Sequence, residues 1–238
     1  MTLFLKFIWN AIFKLTGLDI SNGVEYKNFS FYMIELKADF NKVKEALSEK
    51  HFLPQDFGEG ETRIQIIGCD MRDVEILGPY KEVSIQVPIE PLKKNHSSPY
   101  AHLYLPVTTE AARWPGVDIA GFPKFIADIE ITNQNGKIGC RLSENHSNIL
   151  EFSADDALGT RQSITWAYYG IRRNKVIETD FKIEGNLSER NAAINSKLML
   201  GDHPIGDALK ALLISDKVIR VQIGHNFSGF LQKPVLVG

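Results

Sequence analysis

Arg113-Trp114-Pro115-Gly116-Val117-Asp118-Ile119-Ala120-Gly121-Phe122-Pro123-Lys124-Phe125-Ile126-Ala127-Asp128-Ile129-Glu130-Ile131 is the stretch on which the reading of this chain turns. A Gly-Phe-Pro turn delivers a single lysine to the start of a strand-like run containing Ile126, Ile129 and Ile131. Such a position is hard on an ammonium, because loss of water disfavours the charged form of an amine, and a neutral amine attacks carbonyl carbon. The plainer reading leaves the Lys124 amine in solvent at a strand edge, its stem lying over Phe122 and Phe125. On spacing alone the plainer reading is favoured, since most lysines are solvated.

Working outward, the flanks read as strands. Ile126 to Thr132 and Lys137 to Leu142 enclose Asn135-Gly136, a strong short hairpin signal. Upstream, Phe29 to Glu35 and Arg63 to Cys69 alternate, Asp73 to Leu77 and Glu82 to Ile89 are separated by Gly78-Pro79, and Ala101 to Val107 reads as a buried strand. Downstream, strands are expected through 149–153, 163–172, 176–184, 191–200 and 217–227. Helices are expected after Asp39, from 40 to about 49, as a turn from Thr109 to Trp114, and from 203 to 213. Residues 90–99, with two prolines, two lysines and two serines, form a loop and a candidate lid. Some ten strands with two or three helices describe a β-rich α+β chain, an antiparallel sheet closed into a barrel with a few peripheral helices.

Composition narrows the function. At 238 residues and 44% hydrophobic content, one β-rich domain over residues 19–238 fits better than two. A net charge of -2, with no basic segment interleaved with aromatics, argues against nucleic-acid binding. Cys69 and Cys140 stand far apart without metal-ligand spacing, so no zinc site is indicated and a reducing, cytoplasmic setting fits. Residues 1–18 place Thr2, Lys6, Asn10 and Lys14 on one narrow stripe of an otherwise apolar helix. This segment suits a membrane interface or packing in a homo-oligomer, and its two lysines interrupt any spanning segment.

Gly116, Asp118, Gly121, Phe122, Pro123 and Lys124 resemble the signature of the acetoacetate decarboxylase-like superfamily, whose lysine forms a Schiff base with a keto acid. Tyr80-Lys81-Glu82, running into a strand that ends at Pro88, resembles that family's Tyr-x-Glu segment, and His203-Pro204 to Leu209 is similar to a stretch near its end. The resemblance implies Lys124 as nucleophile, Glu82 as general acid/base or orienting group, and Phe29, Gln65, Tyr80, Phe122 and Phe125 around a small-molecule keto compound, with no metal and no organic cofactor.

Where the decarboxylase carries a second lysine, this chain has Phe125; an arginine and a glutamate of the family's pocket align with Phe29 and Gln65, and Val117 replaces another arginine. With these charges gone, a larger, more apolar carbonyl compound than acetoacetate is expected. The alternative is a non-catalytic or membrane-associated protein holding an apolar ligand in the same cavity.

Overall fold

The computed structural model describes residues 22–48, 52–92, 99–191 and 195–237. The expected helix over residues 1–18 and most of the 90–99 loop lie outside the described residues. No helix among the described residues is long and apolar enough to cross a membrane.

The first strand, β1 (Val24–Asp39), sets the architecture, because both of its faces are apolar. Phe29, Phe31 and Met33 point one way and Tyr32, Ile34 and Leu36 the other, each set joining a different core cluster. A strand buried on both faces needs cover on both sides, and the fold supplies it with two layers. β1 pairs with β2 (Glu61–Val74), then the sheet continues through β3 (Tyr80–Pro88), β4 (Pro99–Tyr104), β8 (Thr160–Arg172) and β9 (Lys175–Asn191). The long β11 (Leu213–Leu231) pairs with β1 on one side and β9 on the other, which closes seven strands into a barrel. Each pairing around the barrel is antiparallel except β4 with β8, which runs parallel from Pro99↔Ala167 to Ala101↔Tyr169.

A second sheet of β5 (Asp128–Gln134), β6 (Lys137–Glu144), β7 (Ser147–Asp155) and β10 (Lys197–Leu200) covers the barrel's outer face. Asn135 and Gly136, at φ of 53° and 71°, make the expected tight turn between β5 and β6. Cys140, Leu142, Leu150 and Phe152 pack with Ile34, Ile64, Ile66 and Ile85 in the core between the layers. The layers approach so closely at Gly68 that a Cβ there would stand 2.8 Å from Cys140 Sγ. Helices α1 (Phe40–Ala46) and α3 (Pro204–Leu212) pack on the same core through Val43, Leu209 and Leu212. The short strand β12 (Val235–Leu236) pairs with β9.

Expected boundaries differ at several places. Arg63 to Cys69 and Asp73 to Leu77 are not separate strands: β2 runs unbroken to Val74, and the turn falls at residues 75–79, where Ile76 and Gly78 take positive φ. The helix expected to extend from Thr109 to Trp114 continues to Asp118 as α2 (Glu110–Asp118), with Pro115 inside it. His203 is the N-cap of α3, its ring accepting from the Ile205 N–H, and it lies 3.2 Å from Glu144.

Candidate active site

The lysine is positioned by the turn that follows α2. Thr109 caps the helix by accepting from the Ala112 N–H, and at the other end the Pro115 carbonyl accepts from the Ile119 and Ala120 N–H groups. The Phe122 N–H then reaches back to the Gly116 carbonyl at 2.9 Å, folding the chain sharply. Two glycines are required here. Gly121 sits at φ +70°, and a Cβ on it would stand 2.5 Å from the Ile171 carbonyl oxygen of β8. At Gly116 a Cβ would stand 2.4 Å from Lys124 Cδ, so the lysine stem occupies the space a side chain would have filled.

From Pro123 the chain runs extended beside residues 105–107, with the Val107 N–H donating to the Phe125 carbonyl and the Ala127 N–H to that of Val107. Val107 also bridges to Glu82 on β3. Lys124 and Glu82 are thereby held one chain apart, and their side chains meet: Nζ lies 2.7 Å from Oε2, at 8% and 13% side-chain exposure. Beneath the amine lies the Tyr80 ring, its centroid 5.6 Å from Nζ, a distance at which a ring face attracts a cation. The hydroxyls of Tyr80 and Tyr26 meet at 3.1 Å. Burial pushes the hydroxyls of Tyr26, Tyr80 and Tyr168 well above the ordinary tyrosine range, with the Glu82 charge adding to the effect.

The pair opens onto a cavity of about 50 Å³ inside the barrel, walled by Phe29, Phe122, Trp166, Tyr168 and Phe181, with Cys69, Ser84 and His102 as its further polar atoms. A second pocket, also about 50 Å³, lies against Ala112, Gly116 and Ile119 of α2, and Lys124, Tyr26, Phe122 and Leu231 line both. Lys124 therefore stands at the partition between an inner cavity and a pocket under α2. Cavities of this size hold a few water molecules, so a compact molecule suits the inner one better than the larger compound expected from the aromatic residues.

Of the residues singled out in the sequence, the structure brings Lys124, Glu82, Phe29, Tyr80 and Phe122 together. Two others lie elsewhere. Phe125 does not face the cavity, because successive residues of an extended chain point to opposite sides: it packs in the core between the layers, while Lys124 turns inward. Gln65 faces the barrel interior but does not line the cavity; its amide is bonded to Glu35 and Gln86. Missed in the sequence were Ser84, Cys69, His102, Trp166 and Tyr168. Ser84 could have been found as the residue two beyond Glu82 on the same strand face, and Cys69 as the partner of Glu82 had the register been known. Among the described residues, no group of three His, Cys, Asp or Glu side chains is arranged to hold a metal ion.

The site is thus a lysine–glutamate pair at the edge of the interior of a closed β barrel. Residues 21–171 match the family model described as Acetoacetate decarboxylase (ADC), and the chain belongs to that family. Among solved structures it is similar to an acetoacetate decarboxylase at 14% identity, covering 90% of this chain and 89% of that one with a TM-score of 0.65. It is also similar to the enduracididine biosynthesis enzyme MppR complexed with pyruvate, at 13% identity, 91% and 90% coverage and a TM-score of 0.64. An acetoacetate decarboxylase from Legionella pneumophila matches at 16% identity, 91% and 87% coverage and a TM-score of 0.60. At these identities the likeness is one of fold. No curated protein sequence matches the chain.

Proposed function

We propose that this protein is an enzyme that acts on a small ketone or keto acid through a Schiff base on Lys124, and that the substrate is more apolar than acetoacetate. The observation that carries the reading is the 2.7 Å contact between Lys124 Nζ and Glu82 Oε2 at the mouth of an aromatic-walled cavity. Glu82 takes a proton from the ammonium, which frees the nitrogen lone pair to attack the carbonyl carbon. The carbinolamine that forms loses its hydroxyl as water once Glu82 returns the proton, leaving an iminium. That iminium accepts an electron pair from a breaking C–CO2 or C–H bond, giving an enamine, which is reprotonated and hydrolysed to release product and free amine. Phe29, Phe122 and Trp166 keep bulk water from the reacting atoms, and the Tyr80 ring faces the cationic nitrogen throughout.

The preference for an apolar substrate rests on the lining. Among the described residues, Lys124 is the one Lys or Arg that walls the inner cavity, and the arginine expected in the family's pocket is replaced by Phe29. Once the amine is committed to the iminium, a free carboxylate would meet Glu82 and aromatic rings, with no second cation among the described lining residues to receive it. The test is borohydride reduction in the presence of small keto compounds, followed by peptide mass mapping. A mass increment on Lys124, lost in Lys124→Ala, is expected; unmodified Lys124 across a broad panel of ketones and keto acids would overturn the reading and leave a ligand-binding role.

A further inference from the structure

Inside the barrel, next to the cavity, four buried polar side chains are joined end to end. Glu35 Oε2 accepts from Arg220 Nη2 at 2.6 Å and from Gln65 Nε2 at 2.8 Å. Gln65 Oε1 accepts from Gln86 Nε2 at 2.9 Å, and Gln86 Oε1 accepts from the Ser84 hydroxyl at 2.9 Å. Glu35, Gln65, Gln86 and Ser84 are all at least nine-tenths buried, and Ser84 is the member that lines the cavity.

The direction of every bond in this chain follows from its far end. A guanidinium carries donors only, so the Glu35 oxygen that faces it is an acceptor. Gln65 must then turn its NH2 towards Glu35, since the flipped amide would set two acceptor oxygens against each other. Its carbonyl is left facing Gln86, which must answer with its own NH2. The Gln86 carbonyl in turn faces Ser84, and two oxygens 2.9 Å apart, one of them a carbonyl, bond only if the hydroxyl donates. The single proton of Ser84 is thus spoken for, and what its oxygen offers to the cavity is lone pairs.

We infer that Ser84 is an obligate hydrogen-bond acceptor held in that state by Gln86, Gln65 and Glu35, and that it selects keto compounds bearing a hydroxyl over those bearing a carboxylate. Glu82 stands two residues away on the same face of β3, so this wall presents an anionic oxygen and a lone-pair oxygen side by side. A ligand hydroxyl completes Ser84, whereas a carboxylate oxygen is repelled by it, and a polar atom left unmatched in a buried site weakens binding. The inference deepens the Schiff-base reading and rests on it for the chemistry, with Ser84 as the contact and Gln86, Gln65 and Glu35 as positioning residues.

Three compact probes test it: hydroxyacetone, acetone and pyruvate, compared by borohydride trapping on Lys124 at matched concentrations below saturation. Hydroxyacetone is expected to be trapped roughly three- to tenfold more efficiently than acetone, about the effect of one net hydrogen bond, with pyruvate the poorest of the three. Ser84→Ala is expected to bring the hydroxyacetone-to-acetone ratio to about one. Gln65→Met, which keeps the shape but cuts the chain, frees the serine to rotate and donate; it is expected to raise the pyruvate-to-hydroxyacetone ratio, a change that general loosening of the fold would not produce. Equal trapping of the three probes by the wild type, or ratios unmoved in both variants, overturns the role of Ser84 while leaving the imine standing. If no probe is trapped, the imine reading has failed instead. Titration of Trp fluorescence, Trp166 lining the cavity, then decides the role of Ser84: tighter binding of hydroxyacetone than of pyruvate upholds it, and equal or absent binding ends it.

Discussion

Lys124 Nζ donates to Glu82 Oε2 across 2.7 Å in a space nearly closed to bulk water, and removing either partner has a different consequence. Glu82→Gln keeps the shape of the pair but cannot take the proton, so the rate of trapping on Lys124 is expected to fall about a hundredfold or more, as for loss of a general acid/base group. A quenched time course of borohydride trapping measures this. The other sharp expectation at this scale concerns Cys140, whose thiol burial pushes up to about 12 from the usual 9.0. The folded chain keeps that proton where the unfolded chain has lost it, so stability falls as pH rises from about 9 towards 12 and is unaffected by this group below 9. Urea midpoints taken at intervals over that range should decline, and the decline should be shallower in Cys140→Ala. Lys124 and Glu82 were legible in the sequence because punctuation by Gly, Phe and Pro and the order of two motifs survive without coordinates. Phe125 stands beside Lys124 in sequence but not in space, because an extended chain sends neighbours to opposite faces, and it packs in the core between the layers. The bonds of Gln65 to Glu35 and Gln86 were not legible, because hydrogen-bond partners depend on register, which a single strand does not reveal.

At the scale of elements, the α2 turn is the piece on which the site depends. Gly116→Ala would place a methyl 2.4 Å from Lys124 Cδ and push the stem aside. Trapping is expected to fall severalfold or more while the far-UV spectrum and urea midpoint change little, because the atom displaced belongs to a flexible side chain. Gly121→Ala meets backbone instead, both through its φ of +70° and through the Ile171 carbonyl oxygen 2.5 Å from the new Cβ. A loss of roughly 1–3 kcal/mol or more is expected there, read as a lower urea midpoint, because strain at positive φ has no side-chain escape. The strands of the fold were readable from alternation and from turn residues such as Asn135-Gly136. The union of two predicted strands into β2 was not, since the polar stretch Asp70-Met71-Arg72-Asp73 resembles a turn, yet residues 69–71 and 73–74 stay paired with β1.

For the molecule as a whole, sequence patterning led to a closed β barrel, but the second sheet and the parallel β4–β8 pairing lay beyond it. Whether a strand's second apolar face is covered by another sheet or by a partner is settled by long-range contacts that local pattern does not encode. Closure itself can be measured. Amides of β1 and of β11 where it pairs on both sides are expected to exchange with deuterium most slowly, and those of the exposed edge β5 and of β12 fastest, by mass spectrometry of peptides.

The barrel is sealed by its final long strand, with Phe29 near the start of the described chain and Leu231 near its end looking into one space. A ribosome-bound nascent chain that has already emerged past Lys124 still lacks Phe181 and Leu231, and so has the amine without its shelter. On the proposed Schiff-base reading, reactivity towards carbonyl compounds is accordingly expected only once β11 has joined the barrel.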